Sequence, residues 1–208
     1  MGKGDVADNA ESSLLHARNE AIVRLVRHVA QELVGSPVYD YVQPRIRDDE
    51  RGQSAEVAAR YLAQVGSFAT PERVDVANRQ RDGGVELYAR YKLPRNVLAQ
   101  VVATYRATAT LQGLVVARVF PLLEVTTHTD AELVVVNVQR GSPGAASGAR
   151  VGDYVLGIGG KPAAGLDAFA KSAIDEWAIL PPRSYLAVDM DVSGARKSIR
   201  IFKPGPPN

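Results

Sequence analysis

Apolar residues recur at helical spacing from about Asn9 to Leu33. Leu14, Ile22, Leu25, Val26, Val29 and Leu33 fall on one stripe, with Arg18, Arg24, Arg27 and Gln31 largely off it. Gly35-Ser36-Pro37 stops this helix. Val38, Asp40 and Val42 then alternate briefly before a run of both signs from Arg45 to Arg51. That stretch predicts a short strand or loop followed by a solvated turn.

A second helix is predicted from Ser54 to Val65, with Ala55, Ala58, Ala59, Leu62 and Val65 inward. Val74, Val76 and Asn78 alternate with polar positions, Asp82-Gly83-Gly84 makes a turn, and Val85, Leu87, Ala89 and Tyr91 alternate on the return. This is a β-hairpin signal. Pro94 suits a first helical position. Val97, Leu98, Val101, Val102 and Tyr105 give a third amphipathic helix, ending near Thr110.

From Gly113 the texture changes. Leu114 to Phe120 and Leu133 to Val138 are nearly continuous β-type runs, and short strands with glycine turns continue to Phe202. The expected fold class is α+β, with a helix-rich first domain carrying a hairpin sheet and then a β-sandwich or barrel with one long and one short helix. The boundary is placed at Leu111 to Gly113, giving domains 1–111 and 112–203 and a frayed tail 204–208.

Composition narrows the function classes. The 208 residues suffice for two domains of about 100 each. The first 110 residues hold 15 basic and 14 acidic side chains and the remainder 10 and 9, so neither half is polarised. A phosphate backbone demands a basic footprint, and nucleic acid is not expected as a partner. With no cysteine, thiolate catalysis, disulfides and Cys-ligated zinc are all excluded. No run approaches 18 apolar residues, so no transmembrane segment is expected. The start lacks an apolar signal core, which leaves a cytoplasmic protein or one whose leader was removed.

Candidates for chemistry read as structural. His16 and His28 lie twelve apart on one helix and cannot ligate one metal from it; His128 stands alone. Ser142 sits in Gly-Ser-Pro, outside the Gly-x-Ser-x-Gly elbow of hydrolases. Asp48, Asp49 and Glu50 are consecutive and cannot all face one site. Gly157-Ile158-Gly159-Gly160 precedes a Lys-Pro turn and no helix, so it is not a phosphate loop. Trp177 falls on the apolar side of its helix and reads as core. No catalytic residue, metal site or cofactor is assigned, and the chain is expected not to be an enzyme.

The informative segment runs from Gly141-Ser142-Pro143 through Gly152-Asp153 to Gly160-Lys161-Pro162. Gly-Ser-Pro breaks a strand and caps a one-turn helix, Gly148 suits its left-handed end, and Gly152-Asp153 leads into the strand Val155, Leu156, Ile158. A helix over Leu166 to Trp177 and a closing pair, Tyr185 to Met190 and Ser198 to Phe202, follow. This order resembles the PDZ domain in the arrangement of HtrA-type and site-two-type bacterial proteases, over residues 112 to 203. Gly144 and Ala149 depart from the Ala and Leu more usual there.

The resemblance implies a groove between one strand and the long helix, where an extended peptide adds as a further strand. Its loop would be Gln112, Gly113, Leu114 and Val115, and its groove strand Leu114 to Val119, including Val116. Leu166, Ala170 and Ala173 would face the peptide. The first half is similar in element order and hairpin to the Lpp-twenty-like lipoprotein and flagellar-assembly domain, which implies a role in envelope assembly. The expectation is therefore an adaptor or scaffold that binds a partner C-terminus or extended segment. The alternatives are a structural subunit of a homo-oligomer with an occupied groove, and a regulator presenting substrates to a separate protease.

Overall fold

The structure, a computed structural model, describes residues 4–46, 54–81, 84–123 and 131–206. Its elements form an α+β fold in two compact units. The first is Met1–Glu32 with Ile46–Thr104, and the second is Leu33–Arg45 with Tyr105–Asn208.

In the first unit, α1 (Gly4–Glu32) buries Ile22, Val23, Val26, Val29 and Ala30. Helix α2 (Pro37–Val42) belongs to the second unit and is described with it. Helix α3 (Ser54–Val65) has the bounds predicted, but its buried stripe is Val57, Ala58, Tyr61 and Val65, with Ala55 and Ala59 exposed. The phase is set by Tyr61, the largest side chain, which is fully buried and donates its hydroxyl to the Ala69 carbonyl at 2.9 Å. Strands β1 (Glu72–Arg81) and β2 (Gly84–Lys92) pair antiparallel, with Arg81 opposite Gly84. Residues 82–83 of the predicted turn lie outside the described residues. Tyr91 ties the hairpin to α1 by donating to the Leu14 carbonyl at 3.3 Å. Helix α4 (Arg95–Arg106) starts after Pro94, whose carbonyl accepts from the Leu98 N–H.

The third helix thus stops short of Thr110. Thr108–Leu111 is a strand, β3, and it belongs to the sheet of the second unit. That sheet continues with β4 (Leu114–Arg118), β5 (Leu133–Val138), β6 (Tyr154–Ile158), β8 (Ser184–Val192) and β9 (Ala195–Lys203), in the spatial order β3-β4-β5-β6-β8-β9. The short β7 (Lys161–Pro162) pairs with β6. Helix α5 (Pro143–Ala146) follows β5, and α6 (Gly165–Ile179) precedes β8.

Residues 38–42, predicted as a short strand, form α2. Ser36 caps it by accepting from the Tyr39 N–H at 3.2 Å, and Pro37 opens it. The buried positions Val38, Tyr41 and Val42 have helical spacing, which two alternating valines had disguised. Helix α2 packs on β5. This explains why β5 reads Leu-Val-Val-Val: all four residues are buried, on both faces of the sheet. On one face Ala109, Leu111, Leu114, Val116, Leu133 and Val135 join Leu166, Phe169 and Ala173 in a single core.

Candidate strand-accepting groove

Over Leu114 to Ala117 the predicted groove strand has no open edge. β4 pairs with β5 on one side and with β3 on the other, Thr108 to Leu111 lying opposite Ala117 to Leu114. The expectation of a free edge at Leu114 to Val119 is corrected for Leu114 to Ala117: there the position expected for a bound peptide holds the chain's own preceding residues. Helix α6 packs chiefly on β3.

The loop Gln112-Gly113 is a two-residue hairpin turn. Its φ values of 47° and 89° are both positive, as the tightest turns between right-twisted strands require. Only glycine fits the second position, because a Cβ there would overlap Cβ and Oγ of Ser142. The loop carbonyls are engaged internally, Gln112 O accepting from Gly144 N at 2.8 Å and Gly113 O from Gln139 N at 2.9 Å.

Gly144, a departure from the resembled pattern, has a local reason. A Cβ at this position would come within 2.7 Å of the Leu114 side chain and 2.9 Å of the Gln112 carbonyl. Glycine lets α5 press onto the β3–β4 turn. Ser142 caps α5, its Oγ accepting from Ala145 N at 3.1 Å and donating to Gln139 O at 2.7 Å.

Two-residue turns make their flanking residues a hydrogen-bonded pair, so Leu111 with Leu114 and Ala109 with Val116 share the ladder. Ala109 and Leu111 are buried, whereas Thr108 and Thr110 are exposed. The inward side chains of β3 join the cluster that holds Leu114, Val116, Leu166 and Ala173, with Ala170 half-buried against it. The predicted residues Leu114, Val116, Leu166, Ala170 and Ala173 are thus brought together, as packing partners of β3. Val115 is buried and Gln112 half-buried. Sequence reasoning missed Ala109, Leu111 and Phe169. The pattern Thr108-Ala109-Thr110-Leu111 directly before Gln-Gly was the available hairpin signal.

Cations flank the far elements of the site. Lys203 donates to the carbonyls of Trp177 and Leu180 at 2.6 and 2.7 Å, capping α6, and lies 5.6 Å over the half-buried Trp177 ring. Lys161 bonds Glu176 at 2.5 Å, which raises the lysine pKa above its usual value. A cleft of about 650 Å³ in this unit, lined in part by Gly157, Lys161, Asp189 and Arg196, contains none of the groove residues.

Other candidates do not assemble. His16 and His28 lie near Glu20 and Glu32, at 3.3 and 3.7 Å, on the exposed side of α1. His128 and Asp48 to Glu50 lie outside the described residues. Among the described residues no group of three His, Asp or Glu could hold a metal ion, and no helix is long and apolar enough to cross a membrane.

No protein-family model and no curated protein matches this chain. Solved structures that resemble it include a serine endoprotease from Yersinia pestis, at 18% identity and TM-score 0.31, covering 61% of this chain and 41% of that one. The HtrA-type protease AlgW with a decapeptide is 16% identical at TM-score 0.35, covering 65% of this chain and 42% of that one. This chain therefore spans about two fifths of the length of each.

Proposed function

We propose that this chain is a non-catalytic scaffold protein whose second unit is a PDZ-like, strand-accepting module closed by its own β3. The observation that carries the reading is the seat of Thr108–Leu111, paired along β4 and packed under α6. Strand addition needs unpaired N–H and C=O groups along a sheet edge, and Leu114 to Ala117 of β4 are already paired while β3 is in place. The non-catalytic half is supported by Ser142, whose hydroxyl serves as a helix cap with a donor and an acceptor already engaged.

Calorimetric titration of the full chain tests the closed groove. Extended peptides with apolar residues at alternate positions should give no binding in the micromolar range, which corresponds to about −8 kcal/mol. Micromolar binding to the unaltered chain overturns the closed groove, and turnover of any such peptide overturns the non-catalytic assignment.

A second reading is an adaptor that accepts a partner's segment in place of β3. One observation favours it: β3 is held by four residue pairs and buries two inward side chains, of which only Leu111 is large.

A further inference from the structure

We infer that β3 is a tethered ligand, and that its two inward residues define what the groove accepts: an extended segment with a small apolar residue, any residue, then leucine. This rests on the closed-groove reading above.

The occupant itself supplies the argument. Ala109 and Leu111 point into the cluster with Leu166, Phe169 and Ala173, while Thr108 and Thr110 stay exposed. Side chains two apart on a strand share a face, so selectivity lies in the Ala109 and Leu111 positions alone. Ala109 admits little more than a methyl group, since it and Val116 sit opposite each other within the filled cluster. At Leu111 the site takes a full branched aliphatic side chain, 2% exposed.

The attachment of β3 also suits exchange. The strand leaves α4 after the single residue Ala107 and returns through a two-residue turn in which Gln112, a non-glycine residue, holds φ at 47°. A residue with a side chain is strained in that region, and strain at a turn favours its opening. A tethered occupant competes at a high effective concentration, on the order of millimolar. A free segment therefore binds with its intrinsic constant divided by the open fraction. At ~1% open, the apparent affinity falls roughly 100-fold.

The test uses the full chain, unaltered and as two variants. Ala109→Pro removes a ladder donor of β3, and Leu111→Asp places a charge at its buried anchor. The probe is a fluorescein-labelled peptide of the chain's own residues 106–111, Arg-Ala-Thr-Ala-Thr-Leu, with a control ending in Asp. Fluorescence anisotropy should show at least tenfold tighter binding of the probe by the variants than by the unaltered chain, and no binding of the control. Folded variants, with unchanged circular dichroism, that bind the probe no better than the unaltered chain overturn the inference and leave the closed groove standing.

If neither variant folds, amide hydrogen exchange on the unaltered chain decides. Exchange of the β3 amides well ahead of β5 and β8 supports a releasable strand. Exchange of β3 only together with those strands overturns it.

Discussion

The backbone of Gly113 lies directly on the side chain of Ser142, so closely that a Cβ on Gly113 would overlap Ser142 Cβ and Oγ. One contact thereby joins the β3–β4 turn to the cap of α5. The turn also requires a positive φ at Gly113, which makes the position doubly restricted.

Gly113→Ala is expected to lower stability by about 2 kcal/mol or more, combining left-handed strain with overlap. Gly141→Ala shares the positive φ but has nothing within 4 Å of its added Cβ, and should cost about 1 kcal/mol. Urea denaturation of the two variants separates packing from backbone strain. Equal losses would count against the tight contact.

Ser142→Ala removes an N-cap and should cost about 1 kcal/mol. Ser142→Asp, which keeps an acceptor at the helix start, should recover part of that. Thermal melts of the pair check the cap. A variant as stable as the unaltered chain would remove the structural role assigned to this serine.

Burial raises the phenols of Tyr41 and Tyr61 from 10.0 to about 12, with the Tyr154 phenol adding to the effect at Tyr41 and Arg45 opposing it. A folded-state pKa above the unfolded value gives stability that is complete below pH ~10 and is lost as the pH rises toward 12. Circular dichroism against pH should therefore show alkaline unfolding in that window. Absorbance at 295 nm should place phenolate formation within the same transition. Tyr61→Phe should flatten the pH dependence while costing the bond to Ala69.

A fragment of residues 112–203 lacks α2, β3 and their contacts with β5 and β4. It should expose apolar sheet surface, bind the dye ANS and sediment as aggregates, where the full chain does not. A monomeric, dye-free fragment with a cooperative melt would contradict the contribution of α2 and β3 to the second unit.

Much of the fold was legible where local chemistry and tertiary packing agree. Helix α3 kept its predicted ends, β5 was found from Leu133 to Val138, and Ser142-Pro143, Gly152-Asp153 and Gly159-Gly160 marked real turns. Helix α2 escaped because Val38, Asp40 and Val42 alternate by chance within a six-residue helix, although Ser36-Pro37 carried the cap signal. β3 escaped for a different reason. Ala109 continues the helical series Val101, Val102 and Tyr105, and alanine favours a helix where the flanking threonines favour a strand, so the local preferences cancel. Its partner β4 is what makes it a strand, and pairing across a two-residue turn decides between the conflicting propensities. Of the predicted groove residues, Leu114, Val116, Leu166, Ala170 and Ala173 share one cluster, while what lies against them depended on the four residues of β3.

The path of the chain through the second unit has a consequence for biosynthesis. Val38, Tyr41 and Val42 leave the ribosome about 90 residues before Leu133–Val138, the strand that α2 covers. At translation speeds of ~5–20 residues per second, that apolar helix waits several seconds or more for its strand. The nascent protein must carry a sticky segment through the interval in which Ile46–Thr104, the larger part of its first unit, is being made.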